Sequence, residues 1–159
     1  MFKYIFFLFI FMTNYSYANR EGDMSDPSAF IPEVKQDELK LVPLEEAQNL
    51  IDQGNYESAL LVLEKIAEKN ASSDVFTLLG YVERKRQNFD NAVIMYNKAL
   101  SINSEHTGAL NYLGEVYLEL NDLEKAKICL SKLSLACLYG CLDFTELEEA
   151  VQLYIKNYN

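Results

Sequence analysis

Cys129, Cys137 and Cys141 are the side chains of this chain best suited to covalent chemistry. Cys137 and Cys141 stand four apart, with Gly140 between them. In an unbroken helix, residues i and i+4 hold their Cβ atoms about 5–6 Å apart. A disulfide wants about 3.5–4.5 Å. A bond therefore requires the helix to end here, and Gly140 is the residue that lets it end. Three other chemistries compete. A metal site needs a third or fourth ligand, and the single histidine, His106, falls in a loop. A redox pair usually has two residues between its cysteines and a helix N-terminus to lower a thiol pKa. This pair is expected at a helix C-terminus, where the dipole disfavours thiolate. A lone nucleophilic cysteine needs an oriented base, and His106 has no evident orienting partner. Cys129 reads as a buried small hydrophobe.

Other catalytic patterns are missing from the sequence. There is no nucleotide-binding glycine loop, no Ser-His-Asp arrangement and no His-Glu-x-x-His. Glu45-Glu46 and Glu148-Glu149 are adjacent pairs that diverge on a helix, so they read as solvated faces. The expectation is a non-enzymatic protein with no cofactor and no metal.

The chain has 159 residues, enough for one domain, and 50% are hydrophobic, enough to build a core. Its net charge is −10, from 24 acidic and 14 basic residues. That balance argues against nucleic acid, whose phosphates are held by clustered Lys and Arg. It argues equally against a polybasic lipid-binding surface. The strongest basic cluster, Arg84-Lys85-Arg86, is too short to alter it and reads as a solvated helix end.

Residues 1–18 are laid out as a secretory signal peptide: Lys3, an unbroken apolar run over 4–12, then Ser16-Tyr-Ala18 before a cleavage point. A membrane span needs about 20 apolar residues, so contact with a membrane is expected only through this transient signal. The protein is then exported, periplasmic or secreted. Residues 19–42 hold Pro27, Pro32, Gly22 and several acids, and read as a flexible lead-in. Within it, Phe30, Ile31 and Val34 could instead dock on the folded part.

The elements that must position these residues come from a repeat. Asp74-Val-Phe-Thr-Leu-Leu-Gly80 lines up with Gly108-Ala-Leu-Asn-Tyr-Leu-Gly114 at a spacing of 34. Ala92 and Ala126 follow twelve residues past each glycine, then Tyr96 and Leu130, then Ala99 and Leu133. The fainter first copy is Gln53-Gly-Asn-Tyr56 with Ala59, Leu63 and Ile66, at a spacing of 33. Small–large–small spacing suits two antiparallel helices that pack closely and stack on copies of themselves. In the second unit, Asp74 caps a helix over about 74–87, and a second helix runs over about 90–102. Gly80 in mid-helix implies a close approach, expected from Ala92 or Ala99.

These residues resemble the tetratricopeptide repeat (TPR) family, whose unit is a 34-residue helix–turn–helix. The resemblance implies an all-α TPR α-solenoid with a domain over 43–159 and units at about 40–72, 73–106 and 107–140. Glu83 stands where the family usually has Tyr. The proline expected near each unit's end is replaced by Ala71, Ser104 and Leu138. Leu133 replaces a usual Ala, which should keep the last pair from closing as tightly.

After Gly140, Phe144, Leu147, Val151, Tyr154 and Tyr158 recur at helical spacing, and Asp143-x-x-Glu146 offers a capping box. A solenoid's end exposes an apolar face that needs a cap, so 143–158 reads as a capping helix, with a dimerisation helix as the alternative. The ending Cys137-Leu-Tyr-Gly-Cys141 with Leu147-Glu-Glu-Ala150 is similar to that of small exported bacterial TPR proteins. That likeness implies a Cys137–Cys141 disulfide pinning the cap.

The family binds on its concave side, made mainly by the first helix of each unit. Carried over, this implies a protein or peptide partner held by Tyr81, Arg84, Lys85, Asn111, Tyr112, Glu115 and Glu119. Gln48, Ile51, Asp52, Thr77, Leu78 and Leu118 lie at neighbouring positions. Tyr81 and Tyr112 are the expected anchors, unless they only cover neighbouring helices. The Lys and Asn positions of carboxylate-clamp TPRs are mostly unmatched. The implied function is an adaptor. A structural subunit of an envelope complex, or a redox accessory using Cys137 and Cys141, are the alternatives.

Overall fold

The computed structural model describes residues 36–138 and 140–158, with side-chain surroundings from residue 44 onward. Residues 1–18, expected to be a signal peptide, and residues 19–35 of the expected lead-in lie outside the described residues. Among the described residues there are helices and no strands: α1 (Gln36–Asp52), α2 (Tyr56–Lys69), α3 (Ser73–Lys85), α4 (Phe89–Ile102), α5 (Thr107–Glu119), α6 (Leu123–Ala136) and α7 (Leu142–Tyr158). They pair in order, α1 with α2, α3 with α4 and α5 with α6. Each pair stacks on the next, and α7 packs on α5 and α6. This is the solenoid that the repeat implies.

Each first helix turns into its partner through one left-handed residue: Gly54 (φ 72°), Gln87 (φ 64°) and Asn121 (φ 60°). The next backbone N–H reaches back over the helix end, from Asn55 to Leu50 O at 2.8 Å, Asn88 to Glu83 O at 2.9 Å and Asp122 to Tyr117 O at 2.7 Å. These are Schellman closures, which satisfy carbonyls a helix end would leave orphaned. The second helices stop without the family's proline. The N–H groups of Asn70, Asn103 and Cys137 close on Ile66, Ala99 and Leu133 carbonyls instead.

Helix starts differ from expectation in three places. Residues 36–42, assigned above to the lead-in, belong to α1. The cap of α3 is Ser72, whose hydroxyl accepts from Val75 N at 3.3 Å, and Asp74 already lies inside the helix. Helix α7 begins before Asp143, so Asp143 cannot cap it, and Glu146 turns to another partner. His106 caps α5 by accepting from Ala109 N on Nδ1 at 3.1 Å, which leaves Nε2–H to donate to Asp74 Oδ1 at 2.9 Å. One imidazole thereby ties the starts of two successive first helices.

The close approach at Gly80 is made by Tyr96, not by the alanines: a Cβ there would stand 2.6 Å from the Tyr96 ring. At Gly114 the neighbour is Leu147 of α7, 2.5 Å from such a Cβ. Leu79, Leu113 and Leu147 are all buried and continue the 34-residue register. Helix α7 therefore sits where the first helix of a fourth unit would sit. Leu133 is fully buried in the core cluster that also holds Leu147 and Val151. Glu83, in the family's tyrosine position, is buried and accepts from Arg86 Nη1 and Asn88 Nδ2, each at 2.9 Å.

Candidate partner-binding face

Helices α3 and α5 lie side by side with α7 beyond them, and the sides they turn away from their partner helices bring together most of the expected site. Tyr81 and Tyr112 are half-buried, their ring centroids 5.4 Å apart and tilted by 54°. Tyr96 rises from α4, across Gly80, to within 6.1 Å of Tyr112. Three aromatic rings thus form one strip, in the tilted geometry that the ring quadrupoles favour. Lys85 Nζ stands 5.1 Å from the Tyr81 centroid, over its face.

Beside the strip, Arg84 is clamped by α5. Its Nη1 donates to Glu115 Oε2, while Nε and Nη2 donate to Glu119 Oε1 at 2.9 and 2.7 Å. Burial alone would lower the Arg84 pKa, but Glu115 and Glu119 outweigh it and raise it. Glu115 is itself raised, first by desolvation, with Glu146 and Glu119 adding to it against the pull of Arg84. For Arg84 the neighbouring carboxylates outweigh burial, whereas for Glu115 burial leads and the other carboxylates add to it.

Asn111, expected to meet a partner, is fully buried. Its Nδ2 donates to Glu146 Oε2 at 3.0 Å, and among the described residues its Oδ1 has no partner. The Tyr96 hydroxyl is likewise buried and unpaired among the described residues, and its pKa is pushed far up, chiefly by burial. Buried polar atoms without a partner are uncommon and disfavoured. Sequence reasoning placed Tyr96 in the core and Glu146 in a cap. The 34-residue register running through Leu113 and Leu147 is the signal that sets α7, and with it Glu146, against α5.

The remaining expected positions divide. Ile51 and Thr77 are buried, Thr77 donating to Ser73 O at 2.8 Å. Gln48 Nε2 donates to Asp52 Oδ1 at 3.0 Å. Leu78 lines a shallow apolar recess of about 450 Å³ with Leu44, Glu45 and Gln48. Leu118 and Glu119 line another of about 410 Å³ with Tyr154 and Tyr158 of α7.

Cys137 and Cys141 fall at the turn between α6 and α7, and Cys129 lies within α6. Cys137 is the C-cap of α6, Gly140 takes φ 83°, and the pair is at disulfide distance, with Cα atoms 5.6 Å apart. The expected placement of both at a helix C-terminus is corrected for Cys141. It immediately precedes α7, and its carbonyl accepts from Thr145 N, so it faces the positive end of a helix dipole. Cys129 is buried, its thiol pushed up to about 11 by desolvation. Among the described residues no group of His, Cys, Asp and Glu is placed to hold a metal ion, and no helix is long and apolar enough to cross a membrane.

Comparison with known proteins places this architecture. Residues 52–133 match the family described as anaphase-promoting complex, cyclosome, subunit 3. The first TPR of Spaghetti (RPAP3), bound to the HSP90 peptide SRMEEVD, is 19% identical over 74% of this chain and 93% of that one, with a TM-score of 0.65. PcrH, in complex with the chaperone-binding region of PopD, is 12% identical over 81% and 99%, with a TM-score of 0.68. The Yersinia enterocolitica type III secretion chaperone SycD, with a peptide of the translocator YopD, is 20% identical over 79% and 95%, at 0.65. At these identities the likeness is one of fold. No curated protein matches the sequence. The chain belongs to the tetratricopeptide-repeat proteins, in the family described as anaphase-promoting complex, cyclosome, subunit 3.

Proposed function

We propose that this protein is a non-enzymatic adaptor, exported to the cell envelope, that holds an extended segment of a protein partner on the concave face formed by α3, α5 and α7. The observation that carries this reading is the pair of half-buried rings of Tyr81 and Tyr112, their centroids 5.4 Å apart, backed from beneath by the fully buried ring of Tyr96. Apolar and aromatic side chains of a peptide can lie on the exposed parts of the Tyr81 and Tyr112 rings. Proteins of the same fold hold peptides: the HSP90 peptide on RPAP3 and the YopD peptide on SycD. The charge here differs from what an acidic peptide needs. Arg84 is occupied by Glu115 and Glu119, and Glu146 and Asp143 lie near the strip. The favoured segment therefore carries an apolar or aromatic residue flanked by Lys or Arg.

Export rests on the layout of residues 1–18, and mass spectrometry of the mature protein should find Asn19 at its start. The chain contains no Trp, so a Trp-bearing peptide gives a clean fluorescence signal. Peptides pairing Trp with flanking lysines should bind, and the same peptides with glutamates should not. Equal binding of both series would defeat the reading.

A redox role for the cysteine pair is a second reading, favoured by Cys141 at the start of α7. Equilibration with a glutathione series separates the two: a structural bond resists reduction to below about −300 mV, and a redox-active one does not.

A further inference from the structure

The second helices carry a pattern that the binding face does not use. On α2, α4 and α6 the same three register positions recur: Glu57, Leu61 and Lys65; Asp90, Ile94 and Lys98; Glu124, Ile128 and Lys132. Within each helix they are four apart, so they lie in line on one side of it. Between helices they are 33 or 34 apart, the repeat length, so equivalent residues stack from unit to unit. All nine are exposed. The aliphatic members are 60%, 49% and 56% exposed at Leu61, Ile94 and Ile128, where a solvated position needs no apolar side chain. The outer face of the solenoid thus bears three parallel rows, one acidic, one aliphatic and one basic.

We propose that this face binds a second copy of the same chain. Three rows in this order are self-complementary in one way only. A two-fold axis running along the aliphatic row sets Leu61, Ile94 and Ile128 against their own counterparts. It also places each copy's acidic row opposite the other's basic row. The perpendicular two-fold axis, along the helices, would set acid against acid and lysine against lysine. Charge complementarity therefore fixes both the occupant and its orientation, with the two solenoids side by side and pointing the same way. Existing contacts of the row residues do not prevent this. Glu57 lies 3.5 Å from Arg86, Glu124 accepts from Lys127 at 3.0 Å, and Lys98 sits over Phe76 at 5.5 Å. These are solvent-exposed contacts that exchange readily. The net charge of −10 opposes association at long range, so the dimer is a weak, reversible one.

The test is sedimentation equilibrium of the native chain over a wide concentration range, with helicity followed by circular dichroism. The wild type should show a reversible monomer–dimer equilibrium. Ile94→Asp should weaken it more than tenfold at unchanged helicity. Lys65→Glu, Lys98→Glu and Lys132→Glu combined should abolish self-association. So should the combination Glu57→Lys, Asp90→Lys and Glu124→Lys. Mixing these two triple variants should restore a dimer, one copy of each. A wild type that stays monomeric up to about 1 mM overturns the proposal. So does a dimer that both triple variants retain, or two monomeric triple variants that fail to pair with each other.

Discussion

The ring of Tyr96 occupies the space that a side chain at Gly80 would need: a Cβ there would lie 2.6 to 2.9 Å from three of its ring carbons. Both positions are buried, and the same ring packs beneath the binding face against Tyr112. Gly80 thus makes room for the core ring that supports Tyr112 from beneath. Gly80→Leu, and Ala92→Leu at a fully buried position of α4, should destabilise by about 1–3 kcal/mol or more, as overpacking does. Glu68 and Asn91 are exposed, and changes there should stay within about 0.5 kcal/mol. Urea midpoints of the four variants check this, and equal midpoints would contradict the assigned register.

The left-handed turn residue Gln87 gives a prediction of opposite sign. A left-handed conformation costs a side-chain-bearing residue about 1–2 kcal/mol, and glycine loses about 0.5–1 kcal/mol in extra chain entropy. The first exceeds the second. Gln87→Gly should raise stability by roughly 0.5–1 kcal/mol, whereas Gly54→Ala at the equivalent turn should lower it. A lower midpoint for Gln87→Gly would show that its side chain holds the turn in some other way.

Much of this architecture was legible in the sequence, and the reason is local. Gly80, Ala92 and Ala99 record close helix contacts at a fixed spacing, and Gly140 records a turn that only a positive φ allows. The turn at Gln87 left no such mark, because its residue is not glycine. The site was legible as a list of positions and not as a set of contacts. Arg84 meets Glu115 and Glu119 across 31 and 35 residues, and Asn111 meets Glu146 across 35. Nothing in a helical periodicity says that Asn111 will be sealed from solvent. The helix dipole at Cys141 was misjudged because α7 starts immediately after it, earlier than the capping box at Asp143 suggested.

Reduction of the Cys137–Cys141 pair should loosen α7 without unfolding the repeats. Closing a loop this short stabilises by about 2 kcal/mol in the chain-entropy account. Leu147 remains against Gly114 after reduction, since that contact is made by packing alone. Hydrogen exchange should accelerate in α7 and little in α3 and α4. Loss of all helical signal on reduction would show that the solenoid depends on the bond.

The Glu115 cluster makes stability depend on pH in a definite direction. The carboxyl's pKa is raised in the folded state by desolvation and by its acidic neighbours. Its protonated form therefore favours folding. That contribution is full below the ordinary glutamate range and is lost as pH rises through the folded value. The stability difference between wild type and Glu115→Gln should move in favour of the wild type as pH falls from 7 toward 4.5. A difference that is flat, or that moves the other way, would mean that Arg84 dominates the cluster.

The central claim is that partners are held on the rings of Tyr81 and Tyr112, and one paired measurement tests it most directly. The affinity of a lysine-flanked, Trp-bearing peptide is measured for the wild type and for Tyr81→Ala combined with Tyr112→Ala, beside their urea midpoints. The account predicts at least a hundredfold loss of affinity with helical content retained. Tyr96→Phe, which removes only a buried hydroxyl with no partner among the described residues, should leave the midpoint unchanged or higher and the affinity nearly unchanged. Undiminished affinity in the double variant would contradict the account and place the binding surface elsewhere on the molecule.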